Sequence, residues 1–137
     1  MGYLFHGFFA SYADGLLAAA AEQWPTARAR MIHEHFYGVG LRAKDYRESQ
    51  DDEEAERILA IADEVGPFSL RFPETTFVYI EVDCFGGTCV YEGVVWRGGE
   101  RVVTETGDGA LRRLLSHLGA RLDDREYFRP FERSYLW

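Results

Sequence analysis

The chain has 137 residues, 47% hydrophobic and 28% charged, and its 23 acidic against 15 basic side chains give a formal charge of −8. This is the profile of one globular domain over residues 1–137, able to bury about two-thirds of its open-chain surface without disulfides or a structural metal. It excludes a disordered chain, a rod and a disulfide-dense mini-protein, and it argues against nucleic acid as a partner because phosphates repel an anionic surface.

Residues 3–9 are aromatic and apolar and read as a first strand. The segment has no basic n-region, so no secretory signal is expected, and no run approaches the roughly 18 apolar residues of a membrane span. A cytoplasmic protein with reduced cysteines follows as the expectation. The fourteen arginines against the single Lys44, with no asparagine, suggest GC-rich coding and a bacterial source.

Ser11 with Asp14 signals a helix start, and Ala13, Leu16, Leu17, Ala20 and Trp24 recur at helical spacing up to Pro25. Residues 28–37 form a second strand candidate ending at Gly38-Val39-Gly40. From Ser49 a second helix is expected, acidic in its first turn and striped by Ala55, Ile58, Leu59, Ala62 and Val65 before Gly66-Pro67 stops it. Residues 75–106 hold three β-rich runs separated by Gly86-Gly87 and Gly98-Gly99, the signal of two-residue hairpin turns. Asp108 then caps a short helix with Leu111, Leu114, Leu115 and Leu118, Gly119 ends it, and an aromatic tail follows. The order β-α-β-α-β-β-β-α predicts an α+β fold with a mostly antiparallel sheet and helices packed on one face.

Turn chemistry also fixes a register. With Gly86-Gly87 as the loop, Cys84 faces Cys89, Val82 faces Tyr91 and Glu81 faces Glu92. With Gly98-Gly99 as the next loop, Val95 faces Val102 and Glu92 faces Glu105. Alternation then gathers Val78, Ile80, Val82, Cys84, Cys89, Tyr91, Val95 and Val102 on one face. The other carries Phe77, Tyr79, Glu81, Asp83, Val90, Glu92, Val94, Trp96, Val103 and Glu105. On the latter, Glu81, Glu92 and Glu105 form one row, although a slip of one residue would dissolve it. Opposed like charges cost about 0.2–1 kcal/mol per pair, so the row needs exposure or a counter-charge. Water or the tail arginines Arg125, Arg129 and Arg133 would supply it on one reading. A basic partner docking beside Phe77, Tyr79 and Trp96 would do so on a second, and a hard cation or a shared proton on a third.

Cys84 and Cys89 face each other beside the turn at disulfide distance, so a reversible bridge competes with two small residues filling a corner. Their C-x4-C spacing is not the C-x-x-C redox motif. His33 and His35 alternate on the second strand with His6 on the strand before, a set able to ligate a transition metal but more often packed or surface aromatics. Gly38-Val39-Gly40-Leu41-Arg42-Ala43 matches G-x-G-x-x-A, yet no apolar-periodic helix follows it, so it does not read as a dinucleotide site. No cofactor is expected. The leading expectation is a module that binds a basic protein through Phe77, Tyr79, Glu81, Asp83, Glu92, Trp96 and Glu105. The alternative is a metal- or thiol-dependent enzyme using the glutamate row, the histidines or the cysteine pair.

Overall fold

The computed structural model describes residues 2–137. Its strands are β1 (Tyr3–Ser11), β2 (Arg28–Ile32), β3 (Gly38–Arg42), β4 (Phe77–Phe85), β5 (Thr88–Arg97) and β6 (Glu100–Thr106). They form one antiparallel sheet in the order β2-β3-β1-β4-β5-β6. The helices are α1 (Leu16–Gln23), α2 (Asp52–Leu59), α3 (Ile61–Ser69) and α4 (Ala110–Ser116). The α+β class with an antiparallel sheet is therefore as expected. Among the described residues no helix is long and apolar enough to cross a membrane.

Alternation along the strands gives the sheet two apolar faces. Phe8, Val39, Leu41, Phe77 and Tyr79 pack against Leu16, Trp24, Ile61, Val65 and Phe68, so α1, α2 and α3 share the first face. Phe5, Phe9, Val78, Ile80, Val82 and Val95 pack against Leu111, Leu114 and Leu115 of α4 and against Phe128 of the tail on the second. One-faced packing thus describes α1–α3, while α4 and the tail close the opposite side.

Several local expectations change. Ser11 ends β1, and α1 starts after Gly15 rather than from a Ser11 cap. The strand read over 28–37 stops at Ile32, and 38–42, expected to be its end, is a separate strand beside β1. Its glycines answer to close contacts: a Cβ on Gly38 would lie 1.9 Å from the Ala10 carbonyl oxygen, and one on Gly40 would meet the Trp137 ring at 2.9 Å. The helix expected from Ser49 is two helices meeting at Ala60, with Asp51 as N-cap, its side chain accepting from the Glu54 amide at 2.8 Å. Pro67 lies inside α3 rather than after it. Asp108 does not cap α4, whose N-cap is Gly109.

Both Gly-Gly turns are present, with positive φ at every glycine (60° and 84°; 59° and 79°), the conformation of a type I′ turn that glycine adopts without steric cost. The first hairpin has the expected register from Phe85↔Thr88 through Phe77↔Trp96. The second begins as expected, Arg97↔Glu100 and Trp96↔Arg101, and then shifts by one residue at a β-bulge. Val102 is left over and 53% exposed. Val95 therefore faces Val103, Glu92 faces Thr106, and Glu105 falls opposite Gly93. The bulge turns Val103 into the α4 core and sends Glu105 to Arg113, whose Nε donates to its Oε1 at 2.8 Å.

Candidate functional site

With Glu105 rotated to the other face, the acidic row has two members, and β1 supplies the next. His6 pairs with Glu81, which pairs with Glu92, which pairs with Thr106. The row thus runs imidazole, carboxylate, carboxylate, hydroxyl across four strands. His6 Nε2 lies 3.9 Å from Glu81 Oε1, and the Tyr79 hydroxyl donates to the same oxygen at 3.2 Å. His6 is one-tenth exposed and stacks on Tyr46 at 5.5 Å, and its Nδ1 is buried without a partner among the described residues.

Burial holds the His6 imidazole below its ordinary pKa, with Asp45 and Asp83 pulling the other way. It therefore favours the neutral form and offers Glu81 little charge. A hydrogen bond shared with Glu81, and then desolvation, keeps the Glu92 carboxyl above its usual range. Burial, reinforced by the Glu81 charge, raises the Tyr79 phenol, so this hydroxyl stays a donor. Among the described residues no arginine or lysine reaches within 4.0 Å of Glu81 or Glu92.

Above the two glutamates opens a cleft of about 440 Å³ between α3 and the β5–β6 hairpin, with Tyr79, Trp96, Asp63, Arg101, Thr104 and Thr106 on its walls. The Arg101 guanidinium stacks over the Trp96 ring at 5.4 Å, and the Trp96 indole nitrogen is buried without a partner among the described residues. Hydrogen-bonded carboxylates beside an aromatic wall suit a cation carrying N–H donors.

The residues expected to form one docking face meet different fates. Tyr79, Glu81, Glu92 and Trp96 line this cleft, whereas Phe77 is sealed in the α1–α3 core. Asp83 is exposed further along β4, and Glu105 borders the cleft while its carboxylate is engaged with Arg113. The tail does not cover the glutamates: Arg129 pairs with Glu34, Arg133 donates to the Gly2 carbonyl, and Phe128 and Phe131 sit against Phe9 on the second face.

The histidines do not assemble. His33 lies against Tyr37, and His35, at φ 74°, accepts the Arg129 amide on Nε2 at 3.2 Å, while His6 pairs with Glu81 nearer the other end of the sheet. Among the described residues no group of three or more His, Cys, Asp or Glu side chains is arranged to hold a metal.

Cys84 and Cys89 are joined as a disulfide rather than carried as thiols, and Cys89 is exposed rather than a buried filler. The bridge closes a span of five residues, for which loop-closure entropy gives about 2 kcal/mol. Reduction by a dithiol should lower the unfolding free energy by about 2 kcal/mol, read as a lower urea midpoint. An unchanged midpoint would show that the hairpin turn alone sets this end of the sheet.

His6 is the site residue that local reasoning missed as a partner of the glutamates. Its placement among Leu4, Phe8 and Ala10 marked it as inward-facing, but its neighbour depends on pairing between strands more than 70 residues apart. Comparisons with known protein families, with curated proteins and with solved structures find no match.

Proposed function

We propose that the protein is a binding module whose cleft between α3 and β5–β6 receives a cationic side chain of a basic protein partner. One observation carries this reading. Glu81 and Glu92 stand on adjacent strands with no arginine or lysine within 4.0 Å of either among the described residues, at the foot of a cleft walled by Tyr79, Trp96 and Arg101. Electrostatic complementarity of this kind sets specificity and association rate, and aromatic anchors beside it supply apolar contact. The overall charge of −8 favours a basic protein over nucleic acid. A cytoplasmic setting is compatible with the reading: the Cys84–Cys89 bond, which a reducing compartment would open, lies three rungs from Glu81–Glu92.

Glu92→Gln tests it. Because the folded state holds the Glu92 pKa up, the stability this group contributes is present below the ordinary carboxylate range and is lost as pH rises through the raised value. Glutamine stays neutral, so stability near pH 7 should stay level or rise, by about 0.2–1 kcal/mol for one relieved pair. Binding of an arginine-rich peptide, followed by titration calorimetry, should weaken about tenfold, equivalent to about 1.4 kcal/mol. Added salt should weaken the unmodified complex, since screening acts on exposed charge. Equal affinity in both proteins would refute the cleft as the docking site.

A further inference from the structure

A second cleft lies at the β2–β3 corner of the sheet, and it has the opposite polarity. Alternation along β2 puts Arg28 and Arg30 on the face that carries the tail. Arg42 of β3 is the register partner of Arg28 and points the same way. Two guanidinium-bearing side chains thus start side by side, an arrangement whose repulsion solvent can relieve at the exposed Arg28 and a shared anion relieves more fully. In a chain with 23 acidic residues, none lies within 4.0 Å of Arg28, Arg30 or Arg42 among the described residues.

Two of these arginines are held in place by groups that leave their charge uncompensated. Arg42 donates to the Leu4 carbonyl at 2.9 Å and lies over the rings of Tyr3 and Phe5, at 5.2 and 5.8 Å. Arg30 donates to the Leu136 carbonyl and lies over the Tyr135 ring at 4.9 Å, and its Nε is buried with no partner among the described residues. The same contacts fix Tyr135, Leu136 and Trp137 as an apolar wall. Trp137 can approach the sheet there because Gly40 has no Cβ, which would meet its ring at 2.9 Å. Between this wall and the strands is a cleft of about 630 Å³ lined by Arg28, Arg42, Lys44 and Thr26. Asp45 and Glu48 also border it, but Arg47 grips Asp45 through both carboxylate oxygens, and Glu48 is exposed. Lys44 pairs with Glu54 at 2.5 Å.

We propose that this corner is a binding site for a phosphoryl group, with Arg28 and Arg42 as its principal ligands and Thr26 as a further donor. Guanidinium forks match a tetrahedral dianion in two-point hydrogen bonding, and their strength rises beside an apolar wall. The site is on other strands than the acidic cleft and takes the opposite charge, so neither reading depends on the other.

The test is equilibrium dialysis of the full chain against radiolabelled inorganic phosphate, with acetate as the competing monoanion. Saturable binding is expected, acetate should compete poorly, and Arg28→Gln should weaken binding about tenfold or more. Arg28 is exposed on an edge strand, so this substitution should leave the fold intact, which the urea midpoint checks. Arg28→Lys, which keeps the charge and loses the fork, should fall between the two. Arg121→Gln, at an exposed arginine outside the cleft, should bind like the unmodified chain. Absence of saturable binding, equal binding by Arg28→Gln, or an equal loss in Arg121→Gln would overturn the proposal. Acetate competing as well as phosphate would overturn the phosphoryl assignment.

Discussion

Truncation after Asp124 is expected to abolish cooperative folding. The removed segment is part of the second core: Phe128 is 3% exposed, and its ring meets Phe9 at 5.0 Å. Phe131 lies 4.9 Å from Phe5, and Trp137 lies 5.7 Å from Phe5 and 6.0 Å from Phe9. Phe5 and Phe9 are themselves fully buried. Emptying one buried aromatic site costs about 3–5 kcal/mol, and a domain has in all about 5–15 kcal/mol. Loss of Phe128 together with the partly buried Phe131, Tyr135 and Trp137 therefore exceeds what the remaining contacts support. Phe128→Ala alone should cost about 3–5 kcal/mol in urea unfolding. The Phe128→Ala loss should not respond to salt, because this ring packs against aromatic rings on the second face, whereas the truncation also removes the exposed Arg129–Glu34 and Arg112–Glu126 pairs. A chain of 1–124 that unfolds cooperatively at the full-length midpoint would contradict this account.

Gly7→Ala is expected to be nearly as damaging as Phe128→Ala, from one methyl group. Gly7 sits mid-strand in β1, opposite Arg42 on one side and Ile80 on the other. A Cβ built there falls 1.9 Å from the Leu41 carbonyl oxygen and 3.1 Å from the Phe5 ring. A flexible side chain could yield, but this oxygen belongs to the backbone of a central strand pair. Relief requires β1 and β3 to move apart, a cost of about 3 kcal/mol for overpacking of this kind. Urea unfolding should show a lowered midpoint with an unchanged slope, the sign that native stability and not the denatured state has changed. A loss below about 0.5 kcal/mol, the range of inconsequential surface changes, would mean that the strands accommodate a side chain here.

Local chemistry made the β4–β5 hairpin legible, because a glycine pair with positive φ fixes its own register. The β5–β6 hairpin carries the same turn signal, but its bulge depends on partners far along the chain: the α4 leucines that receive Val103, and Arg113, which receives Glu105. No alternation rule within 88–106 contains that information. The strand at 38–42 was hidden for a related reason, since its two glycines resemble a loop until Ala10, Phe36 and Trp137 are seen pressing on them. At the candidate site, Glu81, Glu92, Tyr79 and Trp96 followed from the first hairpin alone. Placing His6 beside Glu81 required knowing that β1 lies between β3 and β4.

The unpaired Val102 has a consequence for how molecules of this protein meet one another. β6 is an outermost strand, and a long, straight outermost strand presents a continuous row of free amides and carbonyls to which another chain can add. Here the row breaks after Arg101 and resumes at Val103 in a shifted register, with a local bend between the two stretches. An incoming strand finds two short ladders out of phase in place of one long ladder, and charged Glu100 and Arg101 head the first of them. At the opposite border, β2 is only five residues long and carries Arg28 and Arg30. The sheet is thus open at both ends yet a poor template for growth, and the residue that displaced Glu105 from the acidic row also protects the molecule from its own copies.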